Sequence, residues 1–313
     1  MSHSLLVKSP GATARRAAGP QEPKKRALKV YLINLDRSAD RLRWFVGATR
    51  RLDFDLVRIP AVDGSLLPES KVAEYAGRAS GEFGLTRGDI GCFLSHRNAW
   101  RLIAEAPDRW AFVAEDDAHF SDDSARFFQS DDWLPDDADI VKAETVFQNV
   151  RLSGQRRRVY EHYLSRMRSS HVGTGGYFIS RDCARYLLDR TDGLMEPVDQ
   201  LLFNPRLDLF KTLRIYQIEP ALCVQDFNLR DGRKVGFETT IMDWSRHTWT
   251  NPKRRGIAKI RHEACRPFVR LFRFSMRVAG FHRVGVVEFG FDDRKTVRVE
   301  AVRPRRAQQH AAV

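Results

Sequence analysis

Trp110-Ala-Phe-Val-Ala-Glu-Asp-Asp-Ala-His-Phe120 is the stretch on which the fold reading turns. The apolar run Trp110 to Ala114 has the length of a buried strand, and Phe112 and Val113 suit one. It stops abruptly in three carboxylates, Glu115, Asp116 and Asp117. At the carboxyl end of such a strand they sit on the rim of a sheet, where open α/β folds bind ligands. Three adjacent carboxylates repel one another unless a cation joins them. A hard divalent ion with oxygen ligands, Mg²⁺ or Mn²⁺, fits and would bridge to a diphosphate. The plainer reading, an acidic surface turn or helix cap, is common chemistry, so the surrounding chain must choose.

Upstream, Val30 to Leu35 is a β-prone run that reads as a first buried strand, with Asn34, Asp36 and Arg37 at its end. Ser38 can cap a helix on which Arg41, Leu42, Phe45 and Val46 recur at helical spacing. Phe54 to Ile59 reads as a second strand, closed by Pro60 and the turn Asp63-Gly64. Strand, helix, strand is a βαβ unit with a parallel pair. No Gly-rich phosphate loop follows the first strand, so neither a dinucleotide fingerprint nor a P-loop is present there. Further on, Thr86 and Asp89 match a capping pattern. Ile90, Phe93, Leu94, Ala99, Trp100 and Ile103 then mark the apolar face of a helix, interrupted by Ser95 and His96. A helical His is more often structural than catalytic. Pro107 stops this helix just before the acidic strand.

Downstream, Ile140-Val141 begins another strand, and Val146 to Tyr160 reads as a hairpin or a loop carrying Arg151, Arg156, Arg157 and Arg158. Those arginines form either a solvated face or a clamp for an anion. His171-Val-Gly-Thr-Gly-Gly-Tyr-Phe-Ile-Ser180 combines a glycine-rich turn with a strand, and Arg181 to Leu188 reads as a helix. Pro197-Val-Asp199 opens a short helix, where Asp199 is either a dipole-stabilising acid or a base. Ile215 to Ile218 and Pro220 to Asp226 read as extended segments. From Lys253 onward basic residues dominate, and Ile257, Ile260, Phe268 and Leu271 recur at helical spacing between arginines. Such a segment either lies on an anionic membrane or packs as a helix with a basic outer face. Val284 to Phe289 and Thr296 to Val299 read as a late strand pair.

The chain has 313 residues and a formal net charge of +13. That surplus suggests a polyanionic neighbour without choosing among nucleic acid, anionic lipid and phosphorylated substrate. No apolar run approaches the roughly 18 residues that span a bilayer. Residues 1–27 read as a disordered basic leader without a secretory apolar core. Cys92, Cys183, Cys223 and Cys265 follow no zinc spacing, and a reducing cytoplasm suits them.

Taken in order, several stretches resemble glycosyltransferase family 25. They are Tyr31-Leu-Ile-Asn-Leu-Asp-Arg37 with Arg41, Arg58-Ile-Pro-Ala-Val-Asp-Gly64, Leu85 to Trp100 around Gly-Cys-Phe-Leu-Ser-His, and Glu115-Asp-Asp117. Gly173 to Ser180, Pro197-Val-Asp199 and Pro220 to Gln225 follow. The resemblance spans roughly residues 28 to 226, a length one α/β domain would occupy. It implies an α/β, GT-A-like nucleotide-sugar-binding fold with a central, mostly parallel sheet in a domain over residues 28–250. Residues 251–313 would follow as a basic C-terminal extension that could associate with a membrane.

The same resemblance implies an inverting transfer of a hexose, commonly galactose from UDP-galactose, to a glycan or glycolipid acceptor such as a lipopolysaccharide core. It places Asn34, Arg37, Arg41, Asp63, Ser95, His96, Glu115 and Asp116 near the donor. Asp117 is the first metal ligand, with Glu115 beside it, for Mn²⁺ or Mg²⁺. Asp199 is the general base, with Asp116 or Glu144 behind it, because a metal-bound carboxylate is a poor base. The setting expected is cytoplasmic, peripheral on the inner membrane. The alternatives are a nucleic-acid or polyanion binder, which lacks a supporting motif here, and an inactive scaffold of the same family.

Overall fold

β1 (Lys29–Asn34), α1 (Ala39–Thr49) and β2 (Asp55–Pro60) form the expected βαβ unit, with β1 and β2 parallel and in register from Lys29 opposite Asp55 to Asn34 opposite Pro60. The structure, a computed structural model, describes residues 27–80, 82–229, 234–237 and 280–290. The leader, the helical pattern after Lys253 and the segment Thr296 to Val299 lie outside the described residues.

After α2 (Glu69–Ala76) comes the long helix α3 (Arg87–Glu105). Its start is fixed by a full capping box: the Thr86 hydroxyl accepts the Asp89 N–H, and the Asp89 carboxylate accepts the Thr86 N–H. Ala106-Pro107 ends it, as the sequence requires. The decisive stretch forms β3 (Trp110–Glu115), buried along its length, followed by β4 (Ala118–Phe120) and α4 (Ala125–Phe128). The remaining elements are β5 (Ile140–Lys142), β6 (Asn149–Val159), β7 (His162–Met167), β8 (Gly176–Ser180) and α5 (Arg181–Arg190). They are followed by α6 (Val198–Phe203), α7 (Asp208–Thr212), β9 (Ile215–Glu219), β10 (Cys223–Gln225) and β11 (His282–Val286).

Among the described residues the main sheet has the order β11-β6-β7-β9-β5-β8-β3-β1-β2, and β4 pairs with β10 in a small second sheet. Pairing is parallel within β2-β1-β3 and between β5 and β9, and antiparallel elsewhere. The α/β class and the large central sheet are as the sequence implied, but the sheet is mixed. β8 runs against both its neighbours, β5 and β3.

Alternation along the central strands sends side chains to two cores. Tyr31, Ile33, Val113 and Tyr177 face one, covered by α3, α5 and α6 through Phe93, Trp100, Leu187 and Phe203. Val30, Leu32, Phe112 and Phe178 face the other, covered by α1 and α4 through Phe45, Phe127 and Phe128. Burial on both faces explains why these strands read as continuous apolar runs.

The sheet order decides between the two readings of the arginine-bearing stretch. The Arg-bearing stretch is the β6–β7 hairpin, five strand spacings from β3, or about 24 Å along the sheet at ~4.8 Å per spacing. Arg156, Arg157 and Arg158 are exposed there, so they are a solvated face and not a clamp at the acidic site. β11 pairs antiparallel with β6 at the edge of the main sheet.

Candidate active site

The carboxyl ends of β1, β2 and β3 and the first turn of α3 enclose a cavity of about 650 Å³. Arg37, Arg41, Asp63, Ser95, Glu115 and Asp116 line it. The α3 end closes tightly on the loop after β2 because glycines meet backbone there. A Cβ on Gly64 would fall on the Arg87 carbonyl, and one on Gly91 would lie 2.5 Å from the Val62 oxygen. The positive end of a 19-residue helix therefore faces the cavity.

The three carboxylates are held in different ways. Asp116 is bound by the Asn34 amide at 2.7 Å and the Arg41 guanidinium at 2.5 Å. The Asn34 amide nitrogen makes that bond while its oxygen accepts from Arg58 Nε at 2.9 Å, so β1, β2 and the acidic turn are tied together. Arg41 also reaches Asp117 at 3.5 Å, and the Gln225 amide reaches it at 3.3 Å. Glu115 accepts from the Thr174 hydroxyl at 2.6 Å and the Gln225 amide at 2.8 Å, and His96 Nε2 lies 3.4 Å away.

The charge state follows from these partners. Burial alone would raise the Glu115 pKa. His96, Thr174 and Arg41 outweigh it and hold the carboxyl below its ordinary range. Burial raises Asp116, with Arg41 and Asn34 offsetting part of the effect. Asp117 is pushed up to about 8, first by burial and then by the charge of Glu115. Three carboxylates, two of them buried, around the Arg41 guanidinium leave a deficit of positive charge, which is what raises the Asp117 pKa. A divalent cation with oxygen ligands fits that deficit. Cys92, His96 and Glu115 form a second cluster, with potential ligand atoms within 4.8 Å of one another. Burial drives the Cys92 thiol well above its ordinary range, so this set holds no ready thiolate.

Several sequence-selected residues are positioned by backbone. Ser95 donates to the Gly91 carbonyl at 2.6 Å and accepts the Val62 N–H at 2.8 Å, pinning α3 to the loop after β2. Arg37 pairs with Asp63, which also accepts the Ser65 N–H. His96 is fully buried. Trp100 Nε1 donates to the Tyr177 hydroxyl at 2.9 Å, and that hydroxyl lies 2.9 Å from His96 Nδ1. Because Trp100 can only donate, the Tyr177 hydrogen is free for Nδ1, which leaves Nε2–H directed at Glu115.

Asp199 sits half-buried in the first turn of α6, accepting the Gln200 N–H at 2.7 Å and the Gly173 N–H at 3.4 Å. Its negative charge is felt at Cys92 together with that of Glu115, so it stands near the cavity without lining it. Glu144 is fully buried, bound to Lys142 at 2.9 Å and to the Gly175 N–H at 3.0 Å. A group closed in this way meets no substrate, which removes it from the candidate bases. Sequence reasoning assigned no role to Thr174, Tyr177 or Gln225, although all three stood in the quoted stretches.

Comparison with known proteins agrees with the sequence motifs. The model of glycosyltransferase family 25 (LPS biosynthesis protein) matches residues 27–202. The lipooligosaccharide biosynthesis protein lex-1 of Haemophilus influenzae is 29% identical over 164 residues, 48% of this chain and 53% of that protein. The chain thus spans about half the length of that relative. The lacto-N-neotetraose biosynthesis glycosyltransferase LgtB of Neisseria meningitidis is 29% identical over 64% of this chain and 76% of that protein. Procollagen galactosyltransferase 1-B of Xenopus laevis is 31% identical over 75% of this chain and 43% of that protein.

Proposed function

The chain belongs to glycosyltransferase family 25, and from that premise we propose that it is a GT-A-like, metal-dependent inverting hexosyltransferase. It moves galactose from UDP-galactose to a hydroxyl of a cell-surface glycan such as a lipopolysaccharide or lipooligosaccharide core. The observation that carries this reading is the acidic turn Glu115, Asp116 and Asp117, short of positive charge, whose Glu115 and Asp116 line the cavity together with the first turn of α3. Relatives named for lacto-N-neotetraose biosynthesis and procollagen galactosyl transfer support the sugar.

In this mechanism Asp117 would be the first ligand of a Mn²⁺ or Mg²⁺ ion, with Glu115 beside it. When bound, such an ion stabilises the charge that develops on the leaving diphosphate. The protein's own groups do the rest. Asn34 and Arg41 fix Asp116 at the donor. His96, oriented by Tyr177, holds Glu115 charged. Asp63 and Arg37 brace the loop that closes the cavity, and Ser95 keeps α3 against it. Asp199, separate from the metal carboxylates, takes the proton of the acceptor hydroxyl as it attacks the anomeric carbon on the face opposite UDP. Among the described residues no helix is long and apolar enough to cross a membrane. The proposed setting is the cytoplasmic face of a membrane that presents a lipid-linked acceptor.

The test is hydrolysis of a panel of nucleotide sugars without acceptor. We expect turnover of UDP-galactose with Mn²⁺, abolished by EDTA. Turnover of another sugar nucleotide would keep the mechanism and remove the galactosyl assignment. Silence across the panel, together with no calorimetric binding of any UDP-sugar, would overturn the transferase reading.

A further inference from the structure

Asp226 follows β10 directly and is 1% exposed. Its carboxylate accepts three consecutive backbone N–H groups: Val235 at 2.7 Å, Gly236 at 3.1 Å and Phe237 at 3.0 Å. Three successive N–H groups turned onto one anion make a concave nest. Gly236, at φ +86°, supplies the left-handed step that such a nest requires. His119 Nε2 closes on the same carboxylate at 2.8 Å. Burial would raise this carboxyl, but the nest and His119 outweigh it and keep Asp226 below its ordinary range and charged.

The clamped backbone, residues 234–237, forms a strap beside the acidic site. The Phe237 ring packs edge-on against Trp44 at 5.2 Å, and the Arg41 guanidinium stands 5.3 Å from the Phe237 ring centre. Arg41 is the cation that joins Asp116 and Asp117. The Asp226 N–H also donates to the Asp117 carbonyl at 2.9 Å. One residue therefore grips the acidic turn with its backbone and the strap with its side chain.

We propose that Asp226 is a positioning residue: it anchors the strap 234–237 so that Phe237 holds Arg41 against Asp116 and Asp117, and thereby sets the affinity of the site for a nucleoside diphosphate. The consequence for affinity rests on the transferase reading, whereas the anchoring does not. Nothing in this role needs contact between Asp226 and the ligand. The arginine presented by the strap transmits the effect, so changes at the two ends of the strap must be coupled.

The experiment uses the full chain with 4-fluorophenylalanine at position 237, read by ¹⁹F NMR, and UDP with Mn²⁺ as the calorimetric probe. Asp226→Asn should move the fluorine resonance to its solvent-exposed position and weaken UDP binding about tenfold, with the loss in donor KM rather than kcat. Gly236→Ala, which keeps the backbone N–H but strains its left-handed φ, should shift both readouts in the same direction by less. Phe237→Ala lies on the strap outside the core and should lose the same affinity. Adding it to Asp226→Asn should cost nothing further. An unmoved fluorine signal in Asp226→Asn overturns the anchor. Undocking without loss of UDP affinity, or additive losses in the double variant, overturns the positioning role. A wild type that binds no UDP overturns the transferase reading and the affinity role with it. That result is distinct from failure of the anchor, which the fluorine signal still reports.

Discussion

β3 and β5 run in the same direction, each antiparallel to β8 between them, and both deliver carboxylates beyond their carboxyl ends. At β5 the acid is Glu144, and its cation comes two residues earlier on the same chain. Lys142 and Glu144 are fully buried, 2.9 Å apart, and the lysine also donates to the Gly173 carbonyl. At β3 Arg41 pairs with Asp116 and Asp117, and Glu115 and Asp116 open onto a cavity. The β5 end is locally neutral and closed, and it supports the Gly173–Gly175 loop. The β3 end is short of positive charge and accessible. Burial raises acids in both places, Glu144 to about 7 and Asp117 to about 8, so a raised pKa does not separate scaffold from site. The missing counter-charge beside an open cavity does.

The largest effect should come from breaking the closed pair. Lys142→Met leaves Glu144 buried without its cation and should cost about 3–5 kcal/mol in denaturant unfolding. Lys142→Met with Glu144→Leu should recover most of that loss, because the pair is then replaced by apolar groups. Equal destabilisation of the single and double variants would remove the view of this pair as an internally neutralised scaffold. At the open end the pattern should invert. Asp117→Asn relieves repulsion, so stability should hold or rise, while donor hydrolysis falls about 100-fold or more through loss of charge stabilisation. Retained activity would separate the acidic turn from the chemistry.

A pH series sharpens the same contrast. Unfolded, Asp117 loses its proton near pH ~4, whereas folded it keeps the proton to about 8. Between those values the folded state binds more protons, so stability falls as pH rises through the window. Glu144 adds a slope of the same sign that ends near 7. Asp117→Asn should flatten the upper part of this slope in urea melts. Mn²⁺ should raise the melting temperature of the wild type more at pH 8 than at pH 6, because binding at the lower pH must first displace the proton. Asp117→Asn should lose that difference.

How far these features were legible depends on the range of the interactions that make them. β1, β2, β3 and α3 were visible because their signals are local: apolar runs, a capping box and a terminating proline. The Glu115–Asp117 turn was visible because its acids are adjacent in sequence. The neutral character of Glu144 was equally local, since Lys142 precedes it by two residues, yet only burial shows that the pair is closed. Strand order is long-range, so nothing in the β6 arginines told that four strands separate them from β3. The return of β11 to β6 is hidden for the same reason. Arg41 bridging two acids 75 and 76 positions away, and Tyr177 orienting His96 across 81 positions, are products of the sheet. The residue types were in view, but their partnership was not.

Thr174 tests the boundary between the two regions, since it hangs from the loop that the closed pair supports and reaches into the open one. Its hydroxyl gives Glu115 a 2.6 Å hydrogen bond. Thr174→Val keeps the shape and removes that donor. The loss of one hydrogen bond to a charged group should cost about 1.5–3 kcal/mol at most, and less where Gln225 and His96 still serve Glu115. Glu115 loses one of the contacts that keep its pKa low, so its pKa should rise, and the acid limb of the activity profile should move to higher pH while activity on the plateau changes little. Should that limb stay in place with stability reduced, Thr174 would belong to the scaffold that Lys142 and Glu144 define, and the site would begin at Glu115 itself.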